Sequence, residues 1–153
     1  MKLSSKSSPS SSASFERLQD SARRRKASTK PEEKVRQALT RWLLEQVGVP
    51  PRLLSVEYSL SALDPKCRKR ADIVVWKPGG KEGGLCPWLL VECKAPGIAL
   101  NDTVADQVRR YAEKIHAPFV LVTSGDQTRI FKVGKISAGK GNYEEVERLP
   151  VFG

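Results

Sequence analysis

The sequence predicts an α/β domain in which a mixed β-sheet is flanked by helices, with elements in the order α-β-β-β-α-β-β. Two segments carry apolar residues at helical spacing, and five short apolar or alternating runs are bounded by glycine, proline and polar residues. Helices that interrupt a series of strands are typical of an α/β sheet. The chain has 153 residues. Since a domain most often has about 100 to 150 residues, one domain is expected.

The first helix is predicted to begin at Pro31, because proline is favoured in the first turn of a helix. Gly48 follows the last apolar residue of the segment and predicts where the helix ends. The apolar residues at helical spacing between them are Val35, Ala38, Leu39, Trp42, Leu43 and Val47. Residues 56–60 then alternate between apolar and polar side chains, which predicts a half-buried strand.

Residues 71–76 and 87–93 are short apolar runs on either side of a Gly- and Pro-rich connection, and they predict a β-hairpin. A hairpin symmetric about Glu82 places Asp72 opposite Glu92. The same register pairs two sets of apolar side chains, Val74 with Leu90 and Trp76 with Trp88.

The second helix is predicted over residues 101–116, where apolar residues return to helical spacing. Asn101 or Asp102 is expected as its N-cap. Residues 118–123 and 128–133 are β-branched and apolar runs that predict the last two strands.

The first 30 residues differ from the rest of the chain. They contain ten serines, eight Lys or Arg residues and two acidic residues, Glu16 and Asp20. No periodic apolar pattern offsets the entropy of ordering this segment. We therefore predict a disordered basic tail over residues 1–30. The folded domain is expected over residues 31–153, with its motif-bearing core extending to about residue 133.

The formal net charge is +10, of which the tail contributes +6 and residues 31–153 contribute +4. A mild positive excess suits a polyanionic partner, because Lys and Arg that neutralise phosphates release counterions. The three cysteines show no C-x-x-C spacing, which predicts neither a disulfide framework nor a zinc site and favours the reducing cytoplasm. A Ser- and Arg-rich tail leaves organelle targeting as the alternative. No apolar run reaches the length of about 18 residues that a membrane span needs.

Asp72 and Glu92 would bring two carboxylates together at the open end of the hairpin, since directly opposed side chains have Cβ atoms about 4.5 to 5.5 Å apart. Side chains alternate between the faces of a strand, so Lys94 projects on the same side as Glu92. Two close carboxylates need a proton or a cation between them. Mg²⁺, or Mn²⁺ in its place, is the expected cation, with the backbone carbonyl of Cys93 as a further ligand. Lys94 is expected to hold a phosphate oxygen or the attacking water.

Asp72, nineteen intervening residues and then Glu92-Cys93-Lys94 resemble the D…(D/E)-x-K motif of PD-(D/E)xK nucleases. The segments PEEKVRQAL, KRADIVV and LLVECKAP are similar to the N-terminal nuclease domain of type I restriction-enzyme R (HsdR-type) subunits. The resemblance covers residue 31 to about residue 133, and it departs from the motif at Ala71, where the family name has proline.

This resemblance implies a restriction-endonuclease-like core and Mg²⁺-dependent hydrolysis of phosphodiester bonds, with DNA as the substrate. Asp72, Glu92 and Lys94 would be the catalytic residues, and Asp72, Glu92 and Cys93 would bind the metal. A motor or specificity subunit is implied as a further partner. The alternative function is a catalytically silent DNA-binding subunit of a restriction or repair assembly.

Gln107 and Tyr111 match the Q-x-x-x-Y element of related nucleases, and the resemblance gives them a role in supporting the site. Tyr111 also lies on the apolar stripe of its helix, so a core residue is the alternative. Glu33 is either an additional metal or water ligand, as in related nucleases, or an ordinary acid near the positive end of a helix.

Arg68, Lys69 and Arg70 precede Asp72 in the sequence, separated from it by Ala71. Basic residues at that place suit nucleic-acid binding, because phosphate contacts position a protein on DNA. A solvated run of charges is the alternative.

Overall fold

The helices and strands follow the predicted order in a computed structural model that describes residues 30–134 and 143–153. They are α1 (Pro31–Trp42), β1 (Leu54–Ser59), β2 (Arg70–Pro78), β3 (Leu85–Cys93), α2 (Asp102–Lys114), β4 (Phe119–Thr123), β5 (Thr128–Val133) and β6 (Tyr143–Val146). The short strand β6 is an addition to the predicted elements. The tail predicted over residues 1–30 lies outside the described residues, apart from Lys30.

The six strands form one mixed sheet in which the strands lie side by side in chain order. Every neighbouring pair is antiparallel except β3 and β4, which are parallel. Parallel neighbours need a crossover connection, and α2 provides it. The expected restriction-endonuclease-like core, a mixed sheet with flanking helices, is therefore confirmed.

The strands at the centre of the sheet bury nearly all their side chains, which explains why their sequences are continuous apolar runs. The residues with no exposed surface are Ile73, Val74 and Val75 on β2, Leu89 and Val91 on β3, and Val120, Leu121 and Val122 on β4. Polar side chains at the ends of these strands are consequently attached to a rigid layer.

The β2–β3 hairpin has the predicted register near its open end but not near its turn. Val74 pairs with Leu90, as expected, whereas Trp76 pairs with Pro87 and not with Trp88. The prediction for Trp76 was wrong because β3 carries one extra residue at this point. Pro87 has no N–H to donate, and proline in a sheet is tolerated at such irregularities. The side chain of Trp88 packs instead on an aromatic ring of β4, Phe119, with ring centroids 5.3 Å apart.

Both helices have the predicted terminal signals. A final π-helical turn over Leu43–Val47 is followed by Gly48, which adopts a left-handed conformation (φ 85°). Glycine adopts this conformation without steric cost because it has no Cβ atom. Asn101 is the N-cap of α2, and its side chain accepts the N–H of Val104 at 3.0 Å. Among the described residues, no helix has both the length and the apolar character to cross a membrane.

Candidate active site

Asp72 lies on β2 immediately before Ile73, which pairs with Val91 of β3, so the continued register places Asp72 across from Glu92. Its Oδ2 accepts the backbone N–H of Cys93 at 2.7 Å. Burial raises the pKa of Asp72, although the Cys93 hydrogen bond and the positive charge of Arg36 oppose this shift. The hydrogen bond therefore holds the carboxylate in place, but the surrounding groups do not fully offset the cost of burying its negative charge.

Glu92 is the second carboxylate of the site, and its side chain is only 12% exposed. Its Oε1 lies 3.3 Å from the ammonium nitrogen of Lys69 and 3.7 Å from that of Lys94. Burial raises the pKa of Glu92 and the negative charge of Asp72 raises it further, while the two lysines lower it. The site thus contains two mutually repelling carboxylates and two ammonium groups in contact with one of them.

Lys94 reaches the same side of the sheet as Glu92, as the strand alternation predicted. Its backbone N–H donates to the carbonyl of Thr123 at 2.7 Å, which fixes the chain where β3 and β4 both end. The Lys94 side chain retains access to solvent, since 28% of it is exposed. A group in this position can contact Glu92 and also a bound ligand.

Cys93 lies between Glu92 and Lys94 in the chain and is buried. Its thiol is unsuited to metal binding. Burial raises the pKa of the thiol, and the charges of Asp72 and Glu92 raise it further, so it stays protonated at neutral pH. A protonated thiol is a poor ligand, because metals bind the thiolate. Any ligand from Cys93 would therefore be its backbone carbonyl.

The donor set fits a hard divalent cation that keeps several of its waters. Asp72 and Glu92 supply two carboxylates, and Oδ1 of Asp72 accepts no hydrogen bond from the described residues. No group of three or more His, Cys, Asp or Glu side chains is arranged to bind a metal in the part of the chain that is described. Mg²⁺ is commonly held by one or two carboxylates together with water and substrate phosphates, whereas structural zinc needs four protein ligands.

Glu33 lies on α1 and forms an ion pair with the buried Arg36. The other end of the Arg36 guanidinium lies 2.9 Å from Oε1 of Glu57 on β1. Only 6% of the Arg36 side chain is exposed, and its Nε has no hydrogen-bond partner among the described residues. Arg36 thus joins α1 to β1, and its positive charge acts to lower the pKa of Asp72. Sequence reasoning missed this residue, although an arginine between Val35 and Leu39 on the apolar side of the helix is a signal for it.

Of the three basic residues that precede Asp72, only Lys69 contacts the candidate site. Arg68 and Arg70 are exposed. Lys69 is partly buried, and desolvation, the largest single influence, lowers its pKa. The charge and the hydrogen bond of Glu92 act in the opposite direction, and the net result is a raised pKa.

Tyr111 connects the site to a groove along α2. Its half-buried ring lies 5.8 Å from the ammonium nitrogen of Lys69, measured to the ring centroid, and 5.9 Å from that of Lys114. Tyr111 lines an open cavity of about 530 Å³ together with Gln107, Arg110, Glu113 and Lys114. Gln107 is exposed on this groove and makes no hydrogen bond to Glu92 or Lys94 among the described residues.

Comparison with known proteins identifies one family. The family described as "Type I restriction enzyme R protein N terminus (HSDR_N)" matches residues 31–150. That span contains every described helix and strand, including the three residues of the D…E-x-K motif. A comparison with curated proteins found no match. Since the family match covers most of the chain, the protein belongs to the family of type I restriction enzyme R protein N-terminal domains.

Proposed function

We propose that this domain is a metal-dependent nuclease that hydrolyses phosphodiester bonds in DNA. The observation that carries the proposal is the close arrangement of Asp72, Glu92 and Lys94 at the open end of the β2–β3 hairpin, away from its turn. Burial raises the pKa of both carboxylates, so the fold keeps a pair of acidic groups where they are costly. Ionisable groups with strongly shifted pKa values are found most often at functional sites.

Asp72, Glu92 and the carbonyl of Cys93 would hold a Mg²⁺ ion, with Mn²⁺ as a substitute. The bound ion supplies Lewis-acid chemistry, in which it neutralises charge on the phosphate and lowers the pKa of bound water. The hydrogen bond from the Cys93 N–H occupies Oδ2 of Asp72, so Oδ1 would be the oxygen that binds the cation.

Lys94 would position the attacking water or donate to a non-bridging oxygen of the scissile phosphate. Its ammonium is anchored near Glu92 but is partly exposed, so it can contact a substrate without losing its carboxylate partner. A positive charge at this point stabilises the negative charge that develops on the phosphate in the transition state.

The groove along α2 suits a path for the DNA backbone. Lys114 lies beside the half-buried ring of Tyr111, and Arg110 lines the same groove together with Glu113. Lys69 links that ring to Glu92. Positive side chains beside an aromatic ring are a common platform for nucleic-acid strands. Family membership also implies DNA and other restriction subunits as partners in general.

One observation favours a second candidate, a catalytically silent DNA-binding subunit. Lys69 and Lys94 both contact Glu92, so positive side chains compensate much of the charge of the site without a metal. A domain with such a site can bind DNA through its groove and leave cleavage to another subunit.

The test is a cleavage assay with the purified full chain on single-stranded and double-stranded DNA, with Mg²⁺, Mn²⁺ or EDTA. We expect cleavage that requires a divalent ion and is lost in Asp72→Asn, Glu92→Gln and Lys94→Ala. The matched control is Asp126→Asn, which removes an exposed carboxylate outside the D…E-x-K motif. Equal cleavage by wild type and all three site variants would point to a contaminating nuclease. Metal-independent DNA binding without cleavage would favour the second candidate.

A further inference from the structure

Lys69 contacts two different chemical groups. Its ammonium nitrogen lies 3.3 Å from Oε1 of Glu92, the oxygen that Lys94 also approaches. The same nitrogen lies 5.8 Å from the centroid of the Tyr111 ring. The Lys69 backbone is fixed by its carbonyl, which accepts the N–H of Leu60 at 2.9 Å. The side chain is 34% exposed and therefore retains room to move.

The charges at this site disfavour the contact of Lys69 with Glu92 once a divalent cation is bound there. Asp72 and Glu92 carry two negative charges, and Lys69 and Lys94 carry two positive charges. A divalent cation on the same carboxylates repels both ammonium groups at contact distance. The contact of each ammonium group with Oε1 is then weakened, and a group with another favourable position is displaced more readily.

Lys69 is the group with an alternative position. Its ammonium already faces the Tyr111 ring, and cations over aromatic rings are favourable. That ring lines the groove that contains Arg110 and Lys114. A phosphate of a strand in this groove would meet Lys69 at the edge of the active site.

We propose that Lys69 is a positioning residue with two alternating partners. In the metal-free protein it is the counter-ion of Glu92, and in the loaded protein it contacts a DNA phosphate beside the Tyr111 ring. The inference rests on the proposed function, because it assumes that Glu92 takes a divalent cation and that DNA follows the groove.

Competition and coupling follow from this exchange. Lys69 competes with the cation for Glu92, so its charge weakens metal binding in the absence of DNA. A DNA phosphate that draws Lys69 away removes the competition. Since coupling between two ligands is reciprocal, DNA and the divalent cation each strengthen the binding of the other.

The experiment compares Lys69→Gln with Lys66→Gln, a control that removes an exposed charge from the same segment. Mn²⁺ affinity is measured by titration calorimetry without DNA. Ca²⁺ affinity is then measured with and without a short oligonucleotide that gel analysis shows to be intact. Lys69→Arg tests the role of charge, and melting in EDTA verifies that each variant is folded.

We expect Lys69→Gln to bind Mn²⁺ roughly five-fold more tightly than wild type, the effect of losing one partly exposed ion pair. Lys66→Gln and Lys69→Arg should bind Mn²⁺ like wild type. DNA should strengthen Ca²⁺ binding to wild type and to Lys66→Gln, and this gain should disappear in Lys69→Gln.

Mn²⁺ affinity in Lys69→Gln that equals or falls below that of Lys66→Gln overturns the proposal, as does wild-type protein that binds no divalent ion. The two proposals fail separately. Tighter Mn²⁺ binding in Lys69→Gln without any DNA cleavage supports the counter-ion exchange and removes the nuclease function. Metal-dependent cleavage with unchanged metal affinity in Lys69→Gln removes only the exchange.

Discussion

Asp72→Asn is expected to make the metal-free protein more stable while it abolishes the response to metal. The change removes one of two repelling charges and preserves an oxygen that accepts the Cys93 N–H. Asparagine also has nearly the same volume as aspartate, so the surrounding packing is retained. The variant therefore isolates the cost of the charge.

The magnitude follows from the hairpin register. Opposed side chains have Cβ atoms about 5 Å apart, and two unit charges at about 5 Å repel by about 3 kcal/mol at an effective dielectric constant of about 20. Lys69 and Lys94 already offset part of the charge of Glu92. We therefore expect the free energy of unfolding to rise by about 1 to 2 kcal/mol in EDTA, which corresponds to roughly 4 to 8 °C in Tm for a domain of this size.

Thermal and urea unfolding of wild type and Asp72→Asn, each in EDTA and in excess Mn²⁺, provide the assay. Mn²⁺ should raise the Tm of wild type and leave that of the variant nearly unchanged, because a ligand stabilises only the state that binds it. Asp126→Asn, at an exposed site, serves as the control. A variant that is less stable than wild type in EDTA would refute the reasoning, since Asp72 would then be a net stabilising residue.

Three other predictions concern Arg36, the groove along α2 and Tyr143 of β6. Arg36→Met should lower the free energy of unfolding by about 2 to 4 kcal/mol in urea titrations, because it removes the cation shared by two partly buried carboxylates. Arg52→Met, at an exposed position, should have little effect. Gln107→Ala should leave Tm unchanged but weaken DNA binding in fluorescence anisotropy, and Tyr111→Phe should weaken it less than Tyr111→Ala, since the ring is retained. Burial raises the pKa of Tyr143 to about 12. Its neutral form therefore contributes stability below about pH 10, where an unfolded tyrosine begins to ionise, and that contribution is lost as the pH rises to about 12. Tyr143→Phe should accordingly lose less stability than wild type over that interval in unfolding titrations.

Each of these predictions has a clear contrary result. An Arg36→Met protein as stable as the Arg52→Met control would mean that the buried ion pair contributes nothing net. Undiminished DNA binding by Gln107→Ala would remove the α2 groove from the DNA path. Parallel loss of stability in wild type and Tyr143→Phe would mean that the phenol is not buried against the sheet.

The sequence was most informative where one residue type dictates a local structure. The continuous apolar runs of β2 and β3 predicted a covered hairpin, and its symmetry predicted that Asp72 faces Glu92. The same symmetry was wrong for Trp76, because Pro87 cannot join the ladder in the regular way. Register is therefore predictable from apolar patterning only as far as the first irregularity.

The sequence did not predict which side chains from different elements of the fold contact one another around the site. The position of Arg36 on the apolar side of its helix indicates a buried charge, but the sequence does not show that Glu57 of β1 is its partner. Strand alternation would place Arg70 on the same face as Asp72, yet the residue of the basic run that contacts Glu92 in the fold is Lys69. The strand β6 has the short and half-charged sequence YEEV, and its formation depends on pairing with β5. The catalytic and metal-binding roles of Asp72, Glu92 and Lys94 stay predictions.

The extra residue of β3 next to Trp76 has a practical consequence for engineering. It lies between the hairpin turn and the paired residues Ile73 and Val91, so the two ends of the hairpin are aligned by different contacts. A strand rises about 3.3 Å per residue, which places Asp72 roughly 13 Å from Trp76 and farther still from the turn. A peptide tag or a fluorescent label inserted at Gly83 would therefore leave the carboxylate pair aligned, and the turn offers an attachment point for tethering an active domain to a surface.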